Sequence, residues 1–191
     1  MVIAIIAFIS ALALPSLSSY FKISLNSATR DIASIVKEAY NSTAMTGKVH
    51  RIVFDLKEQN YWVEVGPANV LLDTTESLEK EKQRKKYTNK GDEAPAGPAF
   101  EMDRGVTRKK LSLPRGVVFE DVITEQSTEP IKETKAYSHF FPQGITEQTL
   151  IHLKDSENNH ITLAITPIVG RTRLVPGYMK TFEEAFNAEL P

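Results

Sequence analysis

At 191 residues the chain has room for one domain of ordinary size plus an appendage. Its 41% hydrophobic and 25% charged residues are the composition of a folded globular protein. A net charge of −1 argues against a dedicated nucleic-acid binder on bulk electrostatics, leaving local patches open, and the absence of cysteine excludes disulfides, thiolate metal sites and cysteine nucleophiles.

The first element is an almost unbroken apolar run from Val2 to Leu14, followed by Pro15. Leu17, Phe21, Leu25, Ala28, Ile32, Ile35, Val36 and Ala39 then recur in steps of three and four, one stripe on one face, with Ser18, Lys22, Asn26, Arg30, Asp31 and Lys37 on or beside the other. One helix over 1–46 therefore starts where every side is apolar and ends where one side is, the pattern of a membrane-rooted spine carrying a domain over 47–191. Ile3, Ile5, Ile6, Phe8, Ile9, Leu12 and Leu14 form its anchoring part, and Pro15, lacking an N–H, is expected to bend it. A bilayer-crossing helix needs about 20 apolar residues, and the run before Pro15 is shorter, with no Lys or Arg ahead of it. The expectation is that the precursor begins further upstream. Two other readings stay open: a cleavable signal peptide cut near Ala11-Leu12-Ala13, and a buried core helix.

Gly47 suits the C′ position of that helix. From Val49 the period changes to two: Val49, Arg51, Val53 and Asp55 alternate with His50, Ile52, Phe54 and Leu56, a half-buried strand. Lys57–Asn60 is the turn, Tyr61–Val65 the return strand, and Gly66-Pro67 the stop. Residues 73–110 break the pattern as a charged insert, helix-compatible over Leu78–Lys86 and loop-like over Asn89–Pro98. Its Lys/Arg cluster reads as a polyanion or headgroup patch, or as a solvated insert whose interleaved Glu residues weaken the field.

The second half returns to strands: Val117–Ile123 after Pro114 and Gly116, Lys135–Phe141 stopped by Pro142-Gln-Gly144, a hairpin of Thr149–Lys154 and His160–Thr166, and a last short strand, Pro167–Val175. Phe182, Ala185, Phe186 and Leu190 lie at helical spacing, with Thr181 placed to cap and Glu183 and Glu184 in the first turn, so a short helix is expected over 181–190. The class is α+β: one long helix packed on an antiparallel β domain.

The run Met1–Leu17 with its Pro15 resembles the hydrophobic N-terminal segment of type IV pilins and pseudopilins, which follows a Gly-Phe-Thr-Leu-Ile-Glu processing motif that this sequence does not contain. Leu113–Phe119, Phe141-Pro-Gln-Gly144 and Leu163–Arg171 resemble, in that order, the β domain of type II secretion minor pseudopilins of the H class and the related minor pilins. The resemblance implies a helix packed on two small β-sheets and a single-pass anchor in the bacterial inner membrane. It further implies a periplasmic β domain and incorporation into a filament beside other pilin or pseudopilin subunits, an assembly platform and exported cargo. It implies no cofactor.

The chain contains no Gly-x-Ser-x-Gly elbow, Gly-x-x-x-x-Gly-Lys loop or His-Glu-x-x-His helix, so no enzyme is expected. His50, His139, His152 and His160 fall in separate strand contexts, and the carboxylates in turns and charged segments read as solvated. Glu120-Asp121 falls short of the about six to eight oxygens that Ca2+ takes. The leading functional reading is a structural minor subunit of a pseudopilus or pilus. The alternative is a DNA-uptake minor pilin gripping phosphates through Arg171 and Arg173 of Gly170-Arg-Thr-Arg173, residues that equally suit the protection of an edge strand.

Overall fold

The apolar run and the amphipathic stripe form one helix, α1, Val2–Thr46, about 68 Å long at 1.5 Å per residue. Gly47 follows with φ +64°, its N–H donating to the Thr43 carbonyl at 3.0 Å, which is the glycine-terminated end expected of it. The computed structural model describes residues 2–68, 100–127, 129–168 and 170–188, with the side chains of α1 described from residue 23 onward.

Nine strands follow among the described residues. β1 (Val49–Asp55) and β2 (Asn60–Gly66) form the expected hairpin, with β3 (Glu101–Met102) and β4 (Leu111–Ser112) end to end along the far edge of β2 and β6 (Lys135–Phe140) along β1. The second sheet runs β5 (Val117–Thr124), β7 (Thr149–Asp155), β8 (His160–Ile165), β9 (Thr172–Pro176), every pairing antiparallel. A short helix, α2 (Phe182–Asn187), closes the described chain, with the Thr181 hydroxyl accepting from the Glu184 N–H at 3.2 Å. One helix and two antiparallel sheets make the α+β class that the sequence pattern specifies.

The core lies where α1 crosses both sheets. Leu25, Ala28, Ile32, Val36 and Ala39, the stripe read from the sequence, pack with Ile52, Phe54, Val63 and Phe140 of the first sheet and Phe119, Ile151, Leu153, Leu163 and Ile165 of the second. Each large member contributes about 1.5–3 kcal/mol on burial, so the stripe alone seats the domain on the rod. The outer face of the second sheet carries a smaller cluster of Ile123, Leu150 and Ala164 under Ala185, Phe182 and Phe186 of α2.

Two expectations are corrected. β1 is not half-buried: Arg51 is its one partly exposed residue. Its outer face is covered because the Arg51 guanidinium lies 3.7 Å from the Phe100 ring and 4.4 Å from the Tyr137 ring, and Lys110 sits 4.3 Å from the neighbouring Trp62 ring. The last strand begins at Thr172, not Pro167, since Ile168 makes an isolated bridge to Ile145 and Gly170 turns the chain at φ +55°. In the region read as a charged insert, residues 69–99, including the charged stretch 78–86, lie outside the described residues. Its described end supplies β3, a two-residue strand too short to show a period.

Candidate functional site

The residues expected to anchor the chain, Ile3, Ile5, Ile6, Phe8, Ile9, Leu12, Leu14 and Pro15, all lie within α1, and their side chains are outside the described residues. The helix continues through Pro15, whose missing N–H leaves the Ala11 carbonyl without its helical donor. Among the described residues, no helix is long and apolar enough to cross a membrane. Among the described side chains of α1, the buried ones run from Ser24 to Thr43. Within that stretch Thr29 and Thr43 turn their hydroxyls back to the carbonyls of Leu25 (2.6 Å) and Ala39 (2.9 Å), so neither leaves a donor orphaned in the core.

Arg171 and Arg173 part company. Arg171 is exposed, in the turn before β9. The Arg173 guanidinium donates to the carbonyls of Phe186 and Ala188, satisfying the C-terminal end of α2. A guanidinium so engaged holds the short helix to β9, and the exposed cation of the pair is Arg171.

The histidines are partnered, each with a carboxylate, which sequence reading missed. His50 is 1% exposed; its Nδ1 lies 2.9 Å from the Thr43 hydroxyl and its Nε2 3.2 Å from Asp103. Burial holds its pKa below the ordinary imidazole value, against the pull of the Lys48 carbonyl and Asp103. His139 Nδ1 lies 2.7 Å from the buried Glu147 carboxylate, which also accepts the His139 backbone N–H at 3.2 Å. His160 pairs with Glu120 at 2.8 Å near the surface.

The most enclosed of these groups is His152, 0% exposed and opposite Asp121 in the β5–β7 register. Its Nδ1 lies 2.6 Å from Asp121 Oδ1 and its Nε2 2.9 Å from the Met179 carbonyl, while the Tyr178 ring stacks on the imidazole at 4.0 Å and 21°. The Tyr178 hydroxyl donates to Asp121 Oδ2 at 2.9 Å. Burial works against the Asp121 charge, but the His152 hydrogen bond and charge, with the Tyr178 hydroxyl, hold its pKa below the ordinary carboxylate value. Burial and Asp121 push the Tyr178 phenol up to about 12. An aspartate behind a histidine has the form of a general-base pair, yet here the second ring nitrogen ends on a backbone carbonyl and the ring meets no solvent, so it cannot reach a substrate.

His152 and His160 do not face each other across the β7–β8 hairpin. Thr162 lies opposite His152 and Lys154 opposite His160, and Tyr178 fills the space between the two rings. Glu120 and Asp121 are separated by a register shift in β5, which sends Glu120 to His160 and Asp121 to His152. Among the described residues, no group of three or more His, Asp or Glu could hold a metal ion.

Among solved structures, the chain is similar to the minor pseudopilin EpsH from the Type 2 Secretion System of Vibrio cholerae, at 9% identity and a TM-score of 0.48, over 80% of this chain and 97% of that chain. No family model matches the chain, and no curated protein matches it.

Proposed function

We propose that the chain is a non-catalytic minor subunit of a type II secretion pseudopilus or a type IV pilus, stored in the bacterial inner membrane through α1 and carrying its β domain in the periplasm. The observation that supports this reading is the continuity of α1: the rod that begins with the apolar run Val2–Leu14 is the same rod whose stripe from Leu25 to Ala39 forms the core of the β domain. A pull on the anchor is thereby a pull on the domain, which is what extraction from a bilayer into a polymer demands. The motifs at Leu113–Phe119, Phe141–Gly144 and Leu163–Arg171 support it independently.

Burying Ile3, Ile6, Phe8, Ile9 and Leu12 stabilises by about 1.5–3 kcal/mol each against water but by little against lipid. Assembly then depends on helix shape, on neighbouring subunits and on a platform that supplies work, with exported cargo as the load. The test uses the full chain in a bacterium with a type II secretion system. Because the chain has no cysteine, single cysteines at Ile9 and Leu12 report their neighbours without background. Inner-membrane fractionation and disulfide cross-links to pseudopilins in sheared filaments are expected. Recovery of the chain from the soluble periplasm, with its first residues removed and no cross-links, overturns the reading.

A further inference from the structure

A sheet edge is a row of backbone donors and acceptors that a further strand can pair with, and this fold answers several of them with groups of its own. On β5, the Gln59 side-chain amide accepts the Phe119 N–H at 2.6 Å and donates to the Phe119 carbonyl at 3.3 Å, and Ile131 exchanges two backbone bonds with Val122. On β6, Glu147 closes the edge at His139, its carboxylate accepting the N–H at 3.2 Å and its own N–H donating to the carbonyl at 2.9 Å. β3 and β4 are two residues each, too short to template another strand.

β9, at the end of the second sheet, has no such closure. Its bonds to β8 are bracketed by the Thr166 N–H donating to the Arg171 carbonyl at 2.9 Å and the Gly177 N–H to the His160 carbonyl at 2.8 Å. Bonded pairs alternate along an antiparallel ladder, so Arg173 and Val175 also face β8, while Thr172, Leu174 and Pro176 turn their backbone outward. Among the described residues, nothing bonds to the outward N–H or carbonyl of Thr172 or Leu174. The arginines do not guard this edge as a pair: Arg173 is turned to α2, and Arg171 remains an exposed cation where β9 begins. Where β9 ends, Pro176 and Gly177 border a cleft of about 420 Å³, walled by Leu25 and Asn26 of α1 and by Asn158 and Asn159 of the β7–β8 turn.

We infer that β9 is a docking edge for an extended segment of another polypeptide, which joins the second sheet antiparallel through the N–H and carbonyl of Thr172 and of Leu174. The segment carries an acidic side chain abreast of Arg171 and an apolar one where it passes Pro176 into the cleft. A second copy of β9 is the poorer occupant. Paired antiparallel about Leu174, it sets Pro176 against Thr172, and the Thr172 carbonyl of each copy then lacks a donor. The docking edge is a property of β9 and does not depend on α1 being an anchor.

The experiment is amide hydrogen exchange of the full chain in detergent micelles, read by nuclear magnetic resonance, with the acetylated and amidated peptide Leu-Thr-Val-Thr-Val-Asp as probe. In the free chain the Thr172 and Leu174 amides should exchange fast, and those of Arg173 and Val175 slowly. Millimolar peptide should slow Thr172 and Leu174 on the order of tenfold. A copy N-methylated at its backbone amides should not, and a copy with Lys in place of Asp should slow them less. Thr172→Pro removes an outward donor and spares the ladder to β8, so Arg173 and Val175 should stay protected while the response of Leu174 weakens. Slow Thr172 and Leu174 amides in the free chain, no slowing by the peptide, or equal slowing by either altered copy overturns the docking edge, and all three are read on the unaltered chain.

Discussion

Phe54 of β1 and Phe119 of β5 meet edge to face, ring centroids 5.7 Å apart at 71°, so the two sheets touch through an aromatic pair as well as through α1. Tyr61 approaches Phe119 from β2 at 6.1 Å and 87°. Gln59, in the β1–β2 turn, spans the same seam, accepting the Phe119 N–H at 2.6 Å. Phe119→Ala should cost about 3–5 kcal/mol, a large share of a domain's stability, measured by urea denaturation. Phe119→Leu should recover most of that loss; equal losses for both would mean that volume at the seam matters little.

Gly170→Ala tests the contact that turns the chain into β9. Gly170 has φ +55°, and a Cβ there would lie 2.9 Å from the Tyr40 ring. The left-handed conformation alone costs a non-glycine residue about 1–2 kcal/mol, and the clash adds to it. In a double-mutant cycle, Tyr40→Ala should remove the ring's share of the clash and leave the contact with the remaining Cβ and the conformational part, so the two losses fall short of additive. Strict additivity would show that the ring gives way freely.

Lowering the pH from 7.5 to 5 should destabilise the protein relative to its His50→Gln variant. Burial depresses the folded-state pKa of His50 below the ordinary 6.5, so the unfolded chain binds a proton there before the folded one does. The stability it contributes is complete above about 6.5 and lost as pH falls through the folded value. Groups common to both proteins cancel in the difference of melting temperatures, and a difference flat across this range counts against the assignment. Asp121 and Asp155, both held below the ordinary carboxylate value, extend the loss to more acid conditions: their contribution is whole above 3.8 and disappears below it.

Arg171 and Arg173 should separate by assay. Arg173→Ala removes two charge-assisted hydrogen bonds to carbonyls of and beside α2 and should lower stability by about 1.5–3 kcal/mol while exposing that helix to exchange. Arg171→Ala should leave stability unchanged. For a structural subunit no salt-dependent retardation of DNA is expected in a gel shift; retardation that disappears in Arg171→Ala would instead favour the DNA-uptake reading.

Pro15→Ala should stiffen α1, since an interior proline costs a helix about 3 kcal/mol and removes one of its hydrogen bonds. If a bend there lets the anchor tilt during transfer, filament incorporation and secretion should fall in the variant. Unchanged incorporation would end that role for the proline.

What the sequence made legible follows from periodicity. The stripe from Leu25 to Ala39 becomes the core face of α1, the β1–β2 and β7–β8 hairpins lie within a residue or two of their expected bounds, and Thr181 caps α2. These signals are local, carried by neighbours a few positions apart. The partners of the histidines are not. Asp121 meets His152 through pairing of strands about thirty residues apart, after a bulge that changes the parity of β5. His139 finds Glu147 only because Glu147 is buried, where a glutamate in a polar loop reads as solvated. Gly170-Arg-Thr-Arg173 illustrates the same limit from the other side: two like charges adjacent in sequence serve different surroundings once α2 lies across β9.

The pairing of Glu64 and Val65 with Met102 and Glu101, and the Phe100 ring packed so tightly on Gly66 that an added Cβ would meet it at 2.7 Å, make a neck at the top of β2. A side chain at position 66 would have to displace the Phe100 ring before Glu101 and Met102 could pair with β2. The glycine therefore acts as a keyhole: its missing side chain sets how near the two backbones come, and with that the register in which β3 joins the edge of the sheet.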